Sequence, residues 1–366
     1  MYWLSILMLL LMFITLSITL VSMPYLTRES DSFGVSVTEE VYYSDALRTM
    51  RRKYVWISST IYSILLLTCL VTISVTTNAT QQGIMITVYV VCLVICSTII
   101  NIIFHLQMKK YKSSCPSMPL HKTIIAIDTG FRRQKLVFSN KWYLIHFALI
   151  TANIIFVLLN YNQFPAQLPM QFDFTGQVTR SALKSYRTVL GLNMTQIVMT
   201  LLFMFTNWSI LKSKQKINVN DPQKSIQQNT IFRRIWSLFM IIIGLLIVLL
   251  FSFIQLNMMF TFNVEILSIV TILVISIILI GTLLISFKIG QGGRRIGGVI
   301  PPSSTEPTHD DTYWKLGGIY FNPSDPSIFI EKRMGIGWTM NLARPMSWFV
   351  LLGIIAVGIG ISRFVS

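Results

Sequence analysis

The sequence predicts an all-α polytopic membrane protein with eight transmembrane helices and a small cytoplasmic β-hairpin. Hydrophobic residues make up 53% of the chain and charged residues only 12%. This composition fits helices whose backbone polar groups are satisfied within each span. Eight long apolar runs follow one another along the chain, and most basic residues lie in alternate gaps between them.

Most of the apolar runs hold about 20 residues or more, enough at 1.5 Å rise per residue to cross a hydrocarbon core of roughly 30 Å. The predicted spans are residues 3–24, 54–76, 84–107, 142–161, 188–211, 235–257, 266–287 and 345–362. The first run has no basic region before it and no small-residue cleavage site after it. We therefore interpret it as a span and not as a signal peptide.

The distribution of basic residues predicts the orientation of the spans. Twenty-six of the thirty Lys and Arg residues lie in the first, third, fifth and seventh gaps. Cytoplasmic loops retain basic residues, so these gaps are predicted to face the cytoplasm. With eight spans, both termini are then extracellular, and the protein is a multi-pass protein of the cell membrane. Orientation also accounts for the net charge of +16, and we expect no nucleic-acid partner.

The spans and gaps divide the chain into five regions. They are the N-terminal four-helix membrane region 1–161 with cytoplasmic loops 27–53 and 108–141, the extracellular Phe/Pro loop 162–187 that leads into span five, the membrane spans five to seven in 188–287, the cytoplasmic Gly-rich linker and aromatic hairpin 288–344, and the C-terminal span 345–366. No internal repeat is evident, so the sequence gives no sign of a transporter built from two related halves.

The seventh gap changes composition along its length. The Gly-rich stretch 290–298 lacks the preceding strand and following helix of a phosphate loop, so we interpret it as a flexible hinge beside the membrane. The Pro- and Ser-rich stretch 301–311 predicts a mobile linker with solvated carboxylates. Aromatic and β-branched residues at 314–321 and 328–338 predict two strands joined by the Pro-containing turn 322–326. A lone hairpin is marginal in water, so we expect it to pack on the bundle or the membrane surface.

No constellation of reactive residues predicts an enzyme, a metal site or a cofactor. Cys92 and Cys96 share one helical face without a further ligand, and we interpret them, like Cys69, as apolar packing. His105 and His146 lie near the cytoplasmic ends of spans three and four. Neither has a nearby carboxylate in the sequence, which indicates interfacial hydrogen bonding.

The polar residues within the spans are mainly amides: Asn101, Asn153, Asn193, Gln196, Asn207 and Gln255. Spans two to seven contain no Asp, Glu, Lys or Arg away from their ends. Proton relays and ion-coupled pumps place ionisable groups near the midplane, so this pattern disfavours them. The amides predict interhelical hydrogen bonds. Alternatively, a transporter would line a polar cavity with Asn153, Asn193, Gln196 and Asn207.

The external loop combines aromatic residues, two stiffening prolines and a Gly turn. Its candidate recognition residues are Phe164, Pro165, Leu168, Pro169, Phe172, Asp173 and Gly176. So many apolar side chains cannot all be hidden within a short loop. The sequence leaves two interpretations open, a lid packed on helix ends and a surface that receives a ligand.

This loop resembles a domain of unknown function shared with the Sdp-type immunity membrane proteins of Gram-positive bacteria. The pattern is Phe164-Pro165-x-x-Leu168-Pro169-x-x-Phe172-x-x-x-Gly176, placed between two spans. The resemblance implies self-protection against, or sensing of, a secreted antimicrobial peptide.

A second segment is similar to a C-terminal domain of unknown function often found with the first. It runs from Asp310-Asp311-x-Tyr313-Trp314-Lys315-x-Gly317-Gly318-x-Tyr320-x-Asn322-Pro323-x-Asp325-Pro326 through Lys332-Arg333-x-Gly335-x-Gly337-Trp338-Thr339-x-Asn341. The early stretch 33–40 also resembles these two-domain membrane proteins. The candidate residues for a cytoplasmic interaction are Tyr313, Trp314, Lys315, Tyr320, Asn322, Lys332, Arg333 and Trp338.

The leading functional prediction is a non-enzymatic bacterial membrane protein of immunity or sensor type. We expect its partners to be the lipid bilayer, an extracellular peptide and a cytoplasmic protein that the inner segment holds. A transporter or permease subunit is the second hypothesis, and a membrane scaffold or assembly protein is the third.

Overall fold

The computed structural model describes residues 2–76, 78–114, 135–215, 221–260, 263–297 and 309–365. Its helices are α1 (Tyr2–Val21), α2 (Met23–Leu26), α3 (Glu39–Tyr43), α4 (Asp45–Val75), α5 (Ala79–Ser114), α6 (Leu144–Leu159), α7 (Tyr186–Lys212), α8 (Pro222–Phe260), α9 (Val264–Ile289) and α10 (Pro345–Val365). Among the described residues, eight helices are long and apolar enough to cross a membrane, all except α2 and α3. The prediction of eight such helices is confirmed.

Side-chain caps set the start of several long helices. The Ser44 hydroxyl accepts a hydrogen bond from the Leu47 amide at 3.4 Å and begins α4. Ser185 accepts from the Thr188 amide at 3.1 Å before α7. Asn263 does the same for the Glu265 amide at 2.9 Å before α9. Each cap satisfies a backbone donor that has no partner in the first helical turn.

The long helices pack as two groups. In the first, α1 packs on α4 and α4 packs on α5. In the second, α6, α7 and α8 pack on one another, and α10 packs on α7. Helix α9 contacts both groups, through α1 and through α8. These contacts bury a minority of each apolar helix surface, as expected for helices that lipid surrounds.

Small antiparallel sheets lie between the helices in the described part of the chain. They pair β1 (Asp31–Ser32) with β2 (Val35–Ser36), β3 (Gln167–Phe172) with β4 (Val178–Leu183), β5 (Trp314–Lys315) with β6 (Ile319–Tyr320), and β7 (Phe329–Glu331) with β8 (Trp338–Met340). The fold is therefore mainly helical, and the prediction of one small hairpin undercounts the strands.

The predicted pairing of 314–321 with 328–338 is wrong. Residues 314–321 contain the whole β5–β6 hairpin, and residues 328–338 contain β7 and the turn that leads into β8. Glycines with positive φ, among them Gly317 and Gly335, reverse the chain within each stretch. The Pro-containing turn 322–326 connects the two hairpins. A single parallel bridge between Tyr320 and Asn341 joins them.

The two ends of the bundle differ. At one end, which we call the basic end, the segments 27–37 and 309–344 meet the C-terminal ends of α5 and α7. At the opposite end, the β3–β4 hairpin lies near the start of α1 and the end of α10, shown by hydrogen bonds from Ser5 to the Phe174 carbonyl and from Arg187 to the Arg363 carbonyl. Residues 115–134 of the predicted loop 108–141 and residues 301–308 of the predicted linker lie outside the described residues.

Candidate functional site

At the basic end, a tight turn inserts an aromatic ring into the helix bundle. Residues Phe33 and Gly34 form the two-residue loop between β1 and β2, with φ of 48° and 78°. Positive φ at both positions is what a type I′ turn requires, and it is costly for a residue with a side chain. Phe33 is buried, with its ring centroid 5.3 Å from that of Phe104 and 5.6 Å from that of Tyr54. This burial offsets the strain of the turn.

The β5–β6 hairpin meets this turn through glycines. A Cβ on Gly34 would overlap the carbonyl of Gly317, and one on Gly317 would lie 3.2 Å from the Phe33 carbonyl oxygen. The His105 ring completes the contact, because its Nδ1–H donates to the Phe33 carbonyl at 2.8 Å. We call the assembly of residues 28–37 and 309–344 the hairpin junction.

Buried ion pairs surround the hairpin junction. Arg28 donates to Glu331 at 2.6 Å, although the two residues are 303 positions apart. Arg333 pairs with Asp31 at 3.5 Å and also with Asp311. The pairs Arg28–Glu331 and Arg333–Asp31 join the N-terminal segment to the C-terminal segment, whereas Arg333–Asp311 lies within the C-terminal segment. Together these charges fix the junction as one unit.

Asp311 links several parts of the chain at the junction. Its oxygens accept hydrogen bonds from Lys112 at 2.6 Å, from the Ser36 amide at 3.0 Å and from Arg333. Burial by itself raises the pKa of this carboxyl, but Arg333, Lys112 and the Ser36 amide outweigh it and hold the pKa below its usual value. The prediction that residues 301–311 carry only solvated charge is therefore wrong for Asp311, since Ser36, Lys112 and Arg333 all contact it.

A second polar cluster fixes the turn 322–326. Asn341 is fully buried, and its amide donates to the carbonyls of Asn322 at 2.8 Å and Asp325 at 3.1 Å. The Asp325 carboxylate accepts from Lys214 at 2.7 Å and from the Tyr320 hydroxyl at 3.0 Å. Burial opposes its ionisation, but Lys214 and the Ser327 amide and hydroxyl lower the pKa of Asp325. The cluster ties the junction to the end of α7.

The first part of the Gly-rich stretch, residues 290–293, is a packed turn, which corrects its interpretation as a flexible hinge. Gly292 and Gly293 are buried with φ of 64° and 79°. A Cβ on Gly292 would overlap the Arg28 guanidinium, and one on Gly293 would overlap the Gln228 carbonyl. Gln291 is fully buried and exchanges two hydrogen bonds with the Gly337 backbone, at 3.0 Å and 2.7 Å. Glycine is needed here for close approach and not for mobility.

Most residues predicted for a cytoplasmic interaction are used within the chain. Trp314, Tyr320, Asn322 and Arg333 are buried in the junction, where Arg333 lies 5.2 Å from the Trp314 ring centroid. Tyr313 is half-buried beside them, and Trp338 packs on Phe232 with centroids 5.2 Å apart. Lys315 and Lys332 are exposed. A partner would therefore meet these two lysines and the surface around them, and not the aromatic residues.

At the opposite end, the β3–β4 hairpin is anchored at its base. Phe164 and Leu168 are buried against Val157, Val189 and Met259 of α6, α7 and α8. Pro165, Pro169 and Phe172 are half-buried. The anchoring supports the interpretation of this loop as a lid packed on helix ends, at least for its first strand.

The tip of the hairpin reaches the other helix group. Asp173 accepts hydrogen bonds from the Thr175 and Gln177 amides, both at 2.8 Å, and Gly176 has φ of 85°, so both residues form the turn. Phe174 packs against the cluster of α1, α4 and α5, and its carbonyl accepts from Ser5 at 3.1 Å. The Thr175 hydroxyl and the surrounding amides lower the pKa of Asp173. The hairpin thus spans both groups of helices.

The amides of the second helix group are hydrogen-bonded to one another. Asn153 donates to Gln255 at 2.6 Å, Gln255 donates to Asn193 at 2.7 Å, and Asn193 donates to Gln196 at 3.1 Å. Asn207 donates to Asn140 at 2.7 Å. These contacts connect α6, α7 and α8 and match the predicted interhelical bonds. A cavity of about 410 Å³ does occur, but it lies at the basic end between the start of α8 and residues 296–297.

Other predicted residues have structural partners as well. The His146 Nε2–H donates to the Ile241 carbonyl at 3.1 Å, and Asn101 accepts from the Tyr54 hydroxyl at 2.8 Å. Among the residues that the structure describes, no three His, Cys, Asp or Glu side chains are grouped so as to hold a metal ion.

The long apolar helices and the hairpin junction define a helical protein compatible with multiple membrane crossings. A protein-family model, a family of unknown function (DUF5808), matches residues 323–348. This match covers the turn after Asn322, strands β7 and β8 and the start of α10. No curated protein and no solved structure matches the chain. The resemblance of the β3–β4 hairpin to Sdp-type immunity proteins lies outside the matched residues and stays a prediction.

Several residues of the junction were not selected from the sequence. The sequence alone indicates no role beyond loop charge for Arg28, Asp31, Lys112 and Asp311. It places Asn341 only at the end of a motif. The signal that could have found them is the sequence resemblance, because the stretches 33–40 and 311–341 both resemble the same kind of two-domain membrane protein. Segments that share such a resemblance at opposite ends of a chain are candidates for direct contact.

Proposed function

We propose that the chain is a multi-pass protein of the cell membrane whose basic end faces the cytoplasm. The concentration of Lys and Arg in alternate gaps supports this orientation. The hairpin junction is then cytoplasmic, and the β3–β4 hairpin and both termini are extracellular.

In this orientation the protein acts as an immunity or sensor protein for a secreted antimicrobial peptide. The observation that carries the proposal is the β3–β4 hairpin, which is anchored at Phe164 and Leu168 on one helix group and touches the other through Phe174. Strand β4 is largely exposed, with Val178 at 52% and Leu183 at 76%. An extended peptide that pairs with this strand would act, through the hairpin, on both helix groups at once.

A challenge experiment tests this proposal. Cells with the gene deleted are compared with cells that carry the native gene, the double variant Val178→Glu and Leu183→Glu, or the control Lys141→Glu, at an exposed position of the basic end. We expect deletion and the β4 variant to change sensitivity to, or transcription in response to, at least one secreted peptide. The Lys141 variant should behave as native. Equal responses in all four strains, with equal protein levels in the three strains that carry the gene, would refute the proposal.

A membrane scaffold is the second candidate, and the rigid junction favours it. Ion pairs hold a preformed surface there, from which Lys315 and Lys332 project. This function predicts that a partner copurifies with the protein when residues 165–183 are replaced by a short linker, and that it is lost from the variant Lys315→Glu, Lys332→Glu. The transporter hypothesis has less support, because the amides it needs are bonded between helices.

A further inference from the structure

The β5–β6 hairpin has its apolar face outward. Trp314 and Tyr320 are buried against the junction, whereas Leu316, Ile319 and Phe321 are 52%, 43% and 45% exposed. A hairpin on a water-exposed surface would normally alternate apolar residues inward and polar residues outward. Here the outward face is apolar apart from Lys315, so what surrounds this face needs an explanation.

The backbone conformation of Leu316 also bears on what surrounds the apolar face of the hairpin. Leu316 has φ of 51°, a left-handed conformation that is unfavourable for a residue with a side chain. Phe33 occupies the equivalent place in the β1–β2 turn and recovers this cost by burial in the helix bundle. The exposed Leu316 side chain gains no such burial from the protein. Asn or Gly would adopt the same turn at lower cost, so an apolar side chain at this tip points to an apolar environment.

The depth of the hairpin identifies that environment. Gly317 packs on the His105 ring, and His105 lies four residues before Lys109 on α5. At 1.5 Å per residue, the tip is therefore about 6 Å nearer the bundle centre than Lys109. Ile103 and Leu106, on the same part of α5, are 46% and 55% exposed, as expected for a surface that faces lipid.

Exposed tryptophans mark the same level around the basic end. Trp56, Trp142, Trp208 and Trp348 lie near the basic ends of α4, α6, α7 and α10 and are 73%, 52%, 40% and 51% exposed. Such a belt is typical of the interface between headgroups and acyl chains. Phe329 of β7 packs edge-on against Trp208, with centroids 5.9 Å apart, so the junction lies at the level of the belt.

We propose that the β5–β6 hairpin is a membrane anchor that inserts Leu316, Ile319 and Phe321 into the lipid interface. Its buried face holds the junction, and its apolar face lies at the boundary of the acyl chains, where interfacial elements bury apolar side chains about 5–10 Å deep. Lys315 extends its ammonium group toward the phosphates. The partner is lipid and not a protein, because the face lies at the level of the exposed apolar residues of α5 and of the tryptophan belt. The inference depends on the helices being membrane spans and not on the proposed sensor function.

Spin-label accessibility in the full-length protein tests the anchor. Single cysteines replace Leu316, Leu106 as a lipid-facing reference, or Ser324 as a reference in the exposed turn, each in a variant whose native cysteines are changed to Ala. The proteins are reconstituted in phosphatidylcholine–phosphatidylglycerol nanodiscs. We expect a label at Leu316→Cys to lose collisions with a water-soluble nickel reagent and to favour oxygen, as at Leu106→Cys. Accessibility equal to that of Ser324→Cys would overturn the proposal.

The variant Leu316→Asn gives an independent test by the sign of its effect. Asn tolerates positive φ, so at a tip surrounded by water the substitution would leave the thermal unfolding midpoint unchanged or raise it. At a tip inserted in lipid, it removes apolar burial and should lower the midpoint in nanodiscs. An unchanged or raised midpoint would contradict the anchor even if the labelled proteins proved unstable.

Discussion

At the residue scale, a few glycines and buried charges decide how the basic end is built. Gly34 and Gly317 allow two turns to touch backbone to backbone, and Gly292 leaves room for the Arg28 guanidinium. Arg333 is 5% exposed and contacts two carboxylates and the Trp314 ring. Buried groups of this kind lose most of their stabilising effect when one partner is removed, because the other is left desolvated and unpaired.

Gly34→Ala should destabilise the protein strongly. The Cβ would overlap the Gly317 carbonyl, and φ of 78° is itself unfavourable for Ala. We expect a loss of about 2 kcal/mol or more, measured as a lower thermal unfolding midpoint in detergent or nanodiscs. Gly83→Ala on α5, where a Cβ would meet nothing within 4 Å, serves as the matched variant and should be neutral or stabilising. Equal midpoints for the two variants would show that the turns do not touch.

The hairpin junction should weaken in acid. The pKa of Asp311 is lowered in the folded state relative to an unfolded value of about 3.9. Its contribution to stability is therefore present above the unfolded pKa and is lost as the pH falls through the folded pKa. Unfolding midpoints measured between about pH 5 and pH 2 should drop more steeply for the native protein than for Asp311→Asn, which is already weakened at neutral pH. Parallel curves would argue against an ionised, paired Asp311.

At the element scale, polar side chains position helices whose surfaces are otherwise apolar. Arg233 of α8 is fully buried and donates to the Ile210 carbonyl at 2.8 Å and the Ser213 carbonyl at 3.2 Å at the end of α7. A cation there satisfies carbonyls that have no helical partner and complements the helix dipole. Between α6, α7 and α8, the linked amides act in the same way, since lipid offers helices no hydrophobic driving force for association.

Gln255→Leu tests the role of these amides as contacts between helices. The substitution removes hydrogen bonds with Asn153, Asn193 and the Val189 carbonyl. We expect a loss of about 1–2 kcal/mol, because single interhelical bonds in membranes contribute roughly 0.6 kcal/mol and the partners are left unsatisfied. The exposed Gln81 provides a comparison, since Gln81→Leu should leave the unfolding midpoint unchanged. An unaltered midpoint for Gln255→Leu would revive the alternative in which these amides line a transport path.

At the scale of the whole molecule, contacts between distant parts of the chain close both ends of the bundle. The segment after α1 meets the segment before α10 at the hairpin junction, and the β3–β4 hairpin touches both helix groups at the opposite end. A change at either end can therefore reach both helix groups. The proposed sensor function needs such a connection between the two ends of the bundle. That a ligand at one end changes the other end is part of that proposal.

A double-mutant cycle on Arg28 and Glu331 measures how firmly the two chain ends are joined. Their side chains are 15% and 5% exposed, so removing either charge should cost about 3–5 kcal/mol, with strong coupling in the double variant. The exposed pair of Asp45 and Arg48, 3.7 Å apart, should show coupling of about 1 kcal/mol or less. Additive effects at Arg28 and Glu331 would mean that the junction is open in the native protein.

The sequence predicted what depends on local composition. Apolar runs of sufficient length form helices in any arrangement that satisfies their backbones, so all eight long helices were predictable. The hydrogen-bonding role of the amides and histidines also followed from residue type. Strand pairing did not follow, because the turns at Leu316 and Phe33 place apolar residues at positions where turn chemistry favours Asn or Gly.

What the sequence by itself determined is thus the class of protein and, through its basic gaps, a predicted orientation. Only the tertiary structure decided that Arg28 pairs with Glu331, that Asp311 accepts hydrogen bonds from Ser36, Lys112 and Arg333, and that residues 290–293 form a packed turn. The physical reason is that helix formation depends on neighbours along the chain, whereas the pairing of charges and the fit of glycines depend on which distant segments meet. Charges that look alike in a loop become distinct once one of them is buried opposite a partner.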